Sequence, residues 1–240
     1  MAKNVAEQLV DTLEKAGVKR IYAVTGDSLN EVNEAVRKSG KIKWIHVRHE
    51  ETGAFAAAAE AQLNGELACC AGSSGPGHVH LINGLYDAQR SGAPVLAIAS
   101  TLPTHEFGTE YFQETNTIKL FEDCSYYNQV ATTPEQFPRM LQGAIQAALS
   151  FLGVGVIGLP GDLTSKTATS GESSQQPFPT KQRVCPSAEE IDALADLLNK
   201  AEKVTIFCGI GAKDAHKELV ELSLRLNAPV AYSFKSKMEI

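Results

Sequence analysis

An α/β fold is expected from this sequence: a parallel sheet with helices on both faces, followed by the start of a second α/β unit. Three observations support it. Segments with helical apolar spacing alternate with short, almost wholly apolar segments across residues 4–159. Continuous apolar strands belong to parallel sheets buried on both faces. Glycine turns join strand to helix at Gly72-Ser73-Ser74-Gly75-Pro76-Gly77 and at Gly209-Ile210-Gly211, the second opening a new round of alternation after a polar stretch.

The elements follow in order. Val5, Leu9, Val10, Leu13 and Ala16 share one helical face, so residues 4–16 should form a helix ended by Gly17. Ile21-Tyr22-Ala23-Val24 reads as a buried strand. Ser28-Leu29-Asn30-Glu31 has the form of a capping box, which starts a helix running to about Lys38. Strand 44–47, helix 50–63, strand 67–71, helix 77–90 and strand 95–99 come next. Residues 100–132 read as a long polar loop. Thr133-Pro134-Glu135-Gln136 supplies a cap, a proline at the first helical position and a capping-box Gln for a helix to about residue 150. Strand 154–159 ends at Pro160-Gly161.

Residues 1–164 make the first domain on this reading. Residues 165–186 are polar and aperiodic, the composition of a linker. Ser187-Ala188-Glu189-Glu190 then caps a helix carrying Ile191, Leu194, Leu197 and Leu198. Strand 204–208, a helix over 214–226 capped by Asp214, and strand 229–232 follow. The roughly 54 residues from 187 to 240 are too few to finish such a domain, so a longer protein is expected.

Composition narrows the class. The chain has 240 residues, 43% hydrophobic and 21% charged, as in globular proteins. Its longest apolar run, Phe151 to Leu159, is too short and glycine-rich to span a bilayer. Met1-Ala2-Lys3-Asn4-Val5 has no apolar signal core, so the expected location is cytoplasmic. Five cysteines without paired spacing fit reduced thiols, with Cys69-Cys70 as core. A net charge of −6 and no basic stripe argue against nucleic acid as a partner.

Ligands of parallel sheets bind beyond the carboxyl ends of the strands. Thr25-Gly26-Asp27, Glu50 and the loop from Gly72 to Gly77 all fall there. Glu50 sits where an apolar strand meets an alanine-rich helix. A carboxyl there is either a surface charge suiting the helix dipole or a partly desolvated acid–base group. The Gly72–Gly77 loop lacks the Gly-Lys-Ser/Thr ending of a phosphate-binding P-loop, and Pro76 removes an amide donor. It is either a tight turn or a surface for a flat ring. In the second turn Asp214 replaces the third glycine of a dinucleotide fingerprint. Phe112-Gln113-Glu114 lies in the long loop, where function often resides. Histidines 46, 49, 78, 80, 105 and 216 show no metal-ligand spacing, so no metal site is expected among them. There is no Gly-x-Ser-x-Gly nucleophile elbow.

Arg48-His49-Glu50-Glu51, Ser74-Gly75-Pro76-Gly77, Asn83-Gly84-Leu85-Tyr86-Asp87-Ala88 and Phe112-Gln113-Glu114 form an ordered series. Together they resemble the N-terminal pyrimidine-binding domain of thiamine diphosphate enzymes of the pyruvate oxidase and pyruvate:quinone dehydrogenase type. Ala23 to Ser28, Leu159-Pro160-Gly161-Asp162 and Cys208-Gly209 through Leu219 extend the likeness over essentially the whole chain.

The resemblance implies roles. Glu50 would hydrogen-bond the cofactor's aminopyrimidine ring and favour its imino tautomer. Thr25, Gly26, Ser73, Pro76 and Asn83 would line the pyrimidine pocket. Phe112 and Gln113 would stand beside the reacting centre, with Phe112 walling the space toward a flavin. Gly209, Ile210, Gly211 and Lys235 would begin an FAD-binding domain. The substrate would be pyruvate and the electron acceptor a quinone or oxygen. Magnesium would bind with the diphosphate in a domain carrying Gly-Asp-Gly, which these residues lack. The protein would be a homodimer or homotetramer with sites at a dimer interface, touching a membrane only through a further C-terminal segment. Acetolactate synthase is the nearest competing type, though it usually has Gln where this chain has Glu51. A non-catalytic cofactor-binding fragment is the alternative of another class.

Overall fold

The computed structural model describes residues 2–169 and 184–237. They fall into two units, Met1–Gln182 and Arg183–Ile240. In the first, α1 (Val5–Lys15), β1 (Arg20–Ala23), α2 (Asn30–Ser39), β2 (Lys43–His46), α3 (Glu50–Asn64) and β3 (Ala68–Gly72) alternate as expected. Then come α4 (Pro76–Val79), α5 (Ile82–Ser91), β4 (Val95–Thr101), α6 (Thr117–Leu120), β5 (Tyr127–Val130), α7 (Phe137–Phe151) and β6 (Val154–Pro160). The six strands form one sheet in the order β2-β1-β3-β4-β6-β5. Every neighbouring pair is parallel. The expected fold class is therefore the observed one.

Side-chain alternation along the central strands divides the core into two layers. Leu96 and Ile98 of β4 join Leu9, Leu13, Val32, Phe137, Leu141 and Ile145 from α1, α2 and α7. Val95, Ala97 and Ala99 point the other way, to Ala57, Ala61, Leu85 and Ala88 of α3 and α5. Both faces are covered, so β3, β4 and β6 are buried at every position. Each large apolar side chain so buried contributes about 1.5–3 kcal/mol. Small residues bring α3 and α5 close: a Cβ on Gly84 would lie 2.5 Å from Ala54 Cβ. Cys69 and Cys70 are core residues, and burial pushes the Cys70 thiol up to about 12.

Strand order positions the site. β1 has β2 on one side and β3 on the other, so the chain reverses its winding at β1. Connections leaving such neighbours diverge to opposite faces and open a crevice at their carboxyl ends. The turns after β1 and β3 flank this crevice.

Several local expectations are corrected. The 100–132 segment is not all loop: it contains α6 and edge strand β5. β5 pairs on one side only and is half buried, so it lacks the apolar run that marks central strands. Ser28 does not cap α2, whose first turn has no side-chain cap. The helix expected over 77–90 is two, because the Leu81 amide bonds the His78 carbonyl and tightens the chain between α4 and α5. α7 starts at Phe137 rather than Thr133. Gln136 does reach back, but its Oε1 accepts from the amide and hydroxyl of Thr132.

Residues 165–169, read as the start of the linker, lie against α1. Val5 donates its amide to the Lys166 carbonyl at 3.0 Å, and Ala168 to Lys3 at 2.9 Å. Residues 170–183 of that stretch lie outside the described residues.

The second unit contains α8 (Ala188–Lys200), β7 (Ile206–Cys208), α9 (His216–Leu226) and β8 (Val230–Tyr232). β7 and β8 pair in parallel. Ser187 and Glu190 form the expected capping box. Asp214 caps nothing: α9 begins at His216 behind Ala215, without a side-chain cap.

Candidate active site

Glu50 is the first residue of α3 and is 8% exposed. Strand β2 delivers it to the mouth of the crevice, and His49 caps the helix by accepting the Glu51 amide on Nδ1 at 3.3 Å. One carboxylate oxygen, Oε2, lies 3.1 Å from His80 Nδ1. The other, Oε1, faces Gly77: a Cβ built there would sit 3.4 Å from it. Among the described residues none hydrogen-bonds Oε1. An unpartnered carboxyl oxygen on a largely buried side chain, beside bare backbone, is a site for a ligand's hydrogen-bonding edge.

The glycine loop forms the opposite wall. Ser28, from the turn after β1, shares a 2.9 Å hydrogen bond with the Ser73 hydroxyl and accepts the Ser74 amide at 3.0 Å. This is why Ser28 leaves α2 uncapped. Gly26 is required here, since a Cβ would lie 2.3 Å from Ser73 Oγ. Ser100, at the end of β4, donates its hydroxyl to the Ser28 carbonyl at 2.9 Å. The turns after β1 and β3 and the end of β4 thus form one hydrogen-bonded frame.

The long loop meets this frame at Gln113. Its Oε1 accepts the Ser74 hydroxyl at 3.2 Å, and a Cβ on Gly75 would lie 3.0 Å from its backbone. Between the loop and the ends of β4 and β5 lies a cavity of about 720 Å³, lined by residues including His78, Gln113, Thr115, Leu102 and Val130. Asp162, after β6, anchors the near end of the loop by accepting the Thr104 amide and hydroxyl, each at 2.8 Å. Burial alone would raise the Asp162 carboxyl, but those two bonds and Lys166 outweigh it and hold the group below its usual range.

Gly26, Glu50 and Ser73 therefore gather at the crevice, with Gln113 joined through Ser74. Thr25 lies exposed on the same turn as Gly26, and Pro76 is exposed at the start of α4. Asn83 reaches Glu51 rather than Glu50, donating to its Oε1 at 2.9 Å. Phe112 is 81% exposed, its ring against Tyr111 at 4.9 Å and in no hydrogen bond or ring contact with the crevice residues. Gly209, Ile210 and Gly211 form the turn after β7, with open space where Cβ atoms on either glycine would stand, and Lys235 lies in the turn after β8.

His80 was missed by sequence reasoning. It lies 30 positions beyond Glu50, a spacing that matches no motif. His49 and His80 stack at 4.4 Å, and the ligand atoms of His49, Glu50 and His80 come within 4.8 Å of one another. The histidines show no metal-ligand spacing in the sequence, yet the fold brings two of them together beside Glu50. Nδ1 of each ring is already engaged, by the Glu51 amide in one and by Glu50 in the other.

Two family models match the chain: thiamine pyrophosphate enzyme, N-terminal TPP binding domain, over residues 3–120, and the central domain of the same enzymes over 191–240. The chain belongs to the thiamine pyrophosphate enzyme family. It is 50% identical over 234 residues to an uncharacterised 42.6 kDa protein of Pseudomonas amyloderamosa, covering 97% of this chain and 59% of that one. A putative thiamine pyrophosphate-containing protein of Bacillus subtilis is 38% identical, over 98% of this chain and 41% of its own length. The pyruvate oxidase of Lactiplantibacillus plantarum is 36% identical, over 95% and 38% respectively. The chain thus spans between about two fifths and three fifths of the length of these relatives.

The crevice fits the pyrimidine end of this family's cofactor. It offers an open carboxyl oxygen at Glu50 that faces the side-chain-free backbone of Gly77. Among the described residues no helix is long and apolar enough to cross a membrane.

Proposed function

We propose that this chain is the pyrimidine-binding part of an enzyme that oxidatively decarboxylates pyruvate with thiamine diphosphate and FAD, passing electrons to a quinone or oxygen. The carrying observation is Glu50: a buried carboxyl at the strand-reversal crevice, with one oxygen held by His80 and the other open. The identity to a pyruvate oxidase supports the choice of reaction.

When bound, thiamine diphosphate supplies the electron sink that makes decarboxylation of a 2-keto acid feasible. The chain's own residues bind, orient and move a proton. Glu50 Oε1 presents or accepts a proton at the pyrimidine edge. His80 donates to Oε2 and is half exposed, so it links the buried carboxyl to solvent. Gly77 lets the ring lie close to the backbone, and Gly26 makes room for Ser73 in the frame behind it. Gln113 brings a side-chain amide to the same frame. Gly209, Ile210, Gly211 and Lys235 would hold part of FAD. The diphosphate and its Mg²⁺ would be held by a domain beyond these residues. The functional unit is a homo-oligomer, cytoplasmic or peripheral on the inner face of the membrane.

The test is turnover. The complete enzyme should reduce an artificial electron acceptor when given pyruvate, thiamine diphosphate, Mg²⁺ and FAD. These 240 residues alone should not. Turnover by the complete enzyme with a 2-keto acid but without net oxidation, giving a carboligated product, would replace the oxidase reading by a synthase one.

A further inference from the structure

His78 has no part in the mechanism above, yet it is 1% exposed and makes two short hydrogen bonds to different segments. Its Nδ1 lies 2.7 Å from the Ser100 carbonyl oxygen at the end of β4. A carbonyl oxygen only accepts, so Nδ1 carries the hydrogen. In the neutral ring Nε2 is then an acceptor, and the Thr115 hydroxyl lies 2.6 Å from it, placed to donate. The Phe121 ring, at 5.9 Å, closes the pocket. Burial pushes the imidazole down and keeps it neutral, against the upward pull of the Ser100 carbonyl.

Thr115 is two residues from Gln113, whose side chain accepts the Ser74 hydroxyl. Ser74 and His78 belong to one connection, the glycine loop and α4. Gly75 lies between them, against the Gln113 backbone. The segment from Gln113 to Thr115 is therefore held at three points by residues 74–78. Asp162 holds Thr104, nine residues before Gln113, and Asn128 holds the Thr117 and Ile118 carbonyls, four and five residues after it, so neither fixes the Gln113 side chain as directly as the contacts from residues 74–78.

We propose that His78 is a positioning residue: a neutral imidazole of fixed tautomer that latches Thr115 and so holds Gln113 on the glycine loop beside the Glu50 crevice. It also forms the shared wall between that frame and the 720 Å³ cavity. What Gln113 does to a substrate rests on the oxidase reading. The latch does not, and its test needs no turnover.

The experiment uses the 240-residue chain with three variants: Thr115→Val, Thr115→Ser and His78→Asn. Nitrogen-15 NMR of the His78 ring should show Nδ1 protonated and Nε2 bare in the wild type. Chymotryptic cleavage at Tyr111 and Phe112, and amide exchange over Gln113–Thr115, report the loop. Thr115→Val removes the hydroxyl without touching the core ring. Cleavage and exchange should then accelerate roughly five- to tenfold, the range expected for losing one buried hydrogen bond. Thr115→Ser should restore wild-type rates. His78→Asn can keep the bond to Ser100 but not the acceptor for Thr115, and should match Thr115→Val. A protonated Nε2, or wild-type loop rates in the Thr115→Val variant, would overturn the latch. Failure of pyruvate turnover in the complete enzyme with the latch signature intact would overturn the oxidase reading alone.

Discussion

His80 Nδ1 lies 3.1 Å from Glu50 Oε2, joining the turn before α5 to the first residue of α3. The contact turns one carboxylate oxygen toward His80 and leaves the other facing Gly77. It also ties together two helices already packed tightly through Gly84 and Ala54.

Glu50→Gln in the complete enzyme should keep the fold and lose about 10²–10⁴-fold in pyruvate-dependent turnover, the usual range for removing an acid–base group. An amide keeps the shape and the contact with His80 but cannot take up or release the proton. Circular dichroism checks the fold and steady-state dye reduction the rate. Wild-type turnover would remove Glu50 from the mechanism.

His80→Asn should cost less than Glu50→Gln. It removes the link to solvent while leaving Oε1 in place. The measurement is kcat in the complete enzyme, with both variants side by side. A His80 variant slower than the Glu50 variant would make the imidazole, not the carboxyl, the principal proton carrier.

Stability should fall on the acid side because of His78. Its folded-state value is depressed by burial, while the unfolded side chain titrates near about 6.5. Between the two values the unfolded chain binds more protons, so unfolding free energy rises with pH. The contribution is present above about pH 6.5 and is lost as pH falls through the folded value. Urea midpoints should therefore drop more steeply with acidification in the wild type than in His78→Asn. Parallel curves would mean that His78 titrates alike in both states.

Asp162→Asn should destabilise the first unit by about 1.5–3 kcal/mol, the range for charged hydrogen bonds. The folded carboxyl is held low by Thr104 and Lys166, so its stabilisation is present above about pH 4 and is lost as pH falls through the folded value. The gap between wild type and variant should narrow in acid. A constant gap would point to packing rather than charge.

Gly84→Ala should cost about 1–3 kcal/mol, because the new methyl would stand 2.5 Å from Ala54 Cβ and 2.6 Å from the Phe55 amide nitrogen. Thermal unfolding of the purified chain measures it. An unchanged midpoint would show that α3 and α5 can separate freely.

The central strands were legible because burial on both faces demands continuous apolar residues, as in β4 and β6. Helix α1 and the Ser187 cap were legible for similarly local reasons. Edge strand β5 was not, since one-sided pairing relaxes that demand. Ser28 was misread because its motif is indistinguishable from a true capping box until Ser73 and Ser74 arrive from some 45 residues away. His80 and Thr115 carry no local signal at all.

By itself the sequence determined the α/β class, the helix–strand order of the first unit apart from the 100–132 segment and the break between α4 and α5, and the ordered motifs around Glu50, all written in short-range periodicity and turn chemistry. The tertiary structure alone decided which side chains share the crevice. Strand order β2-β1-β3 sets the turns carrying Ser28 and Ser73 side by side, and α3 against α5 sets Glu50 against His80. Those pairings arise from sheet topology and helix packing, which join residues far apart in the chain and leave no periodic trace in it.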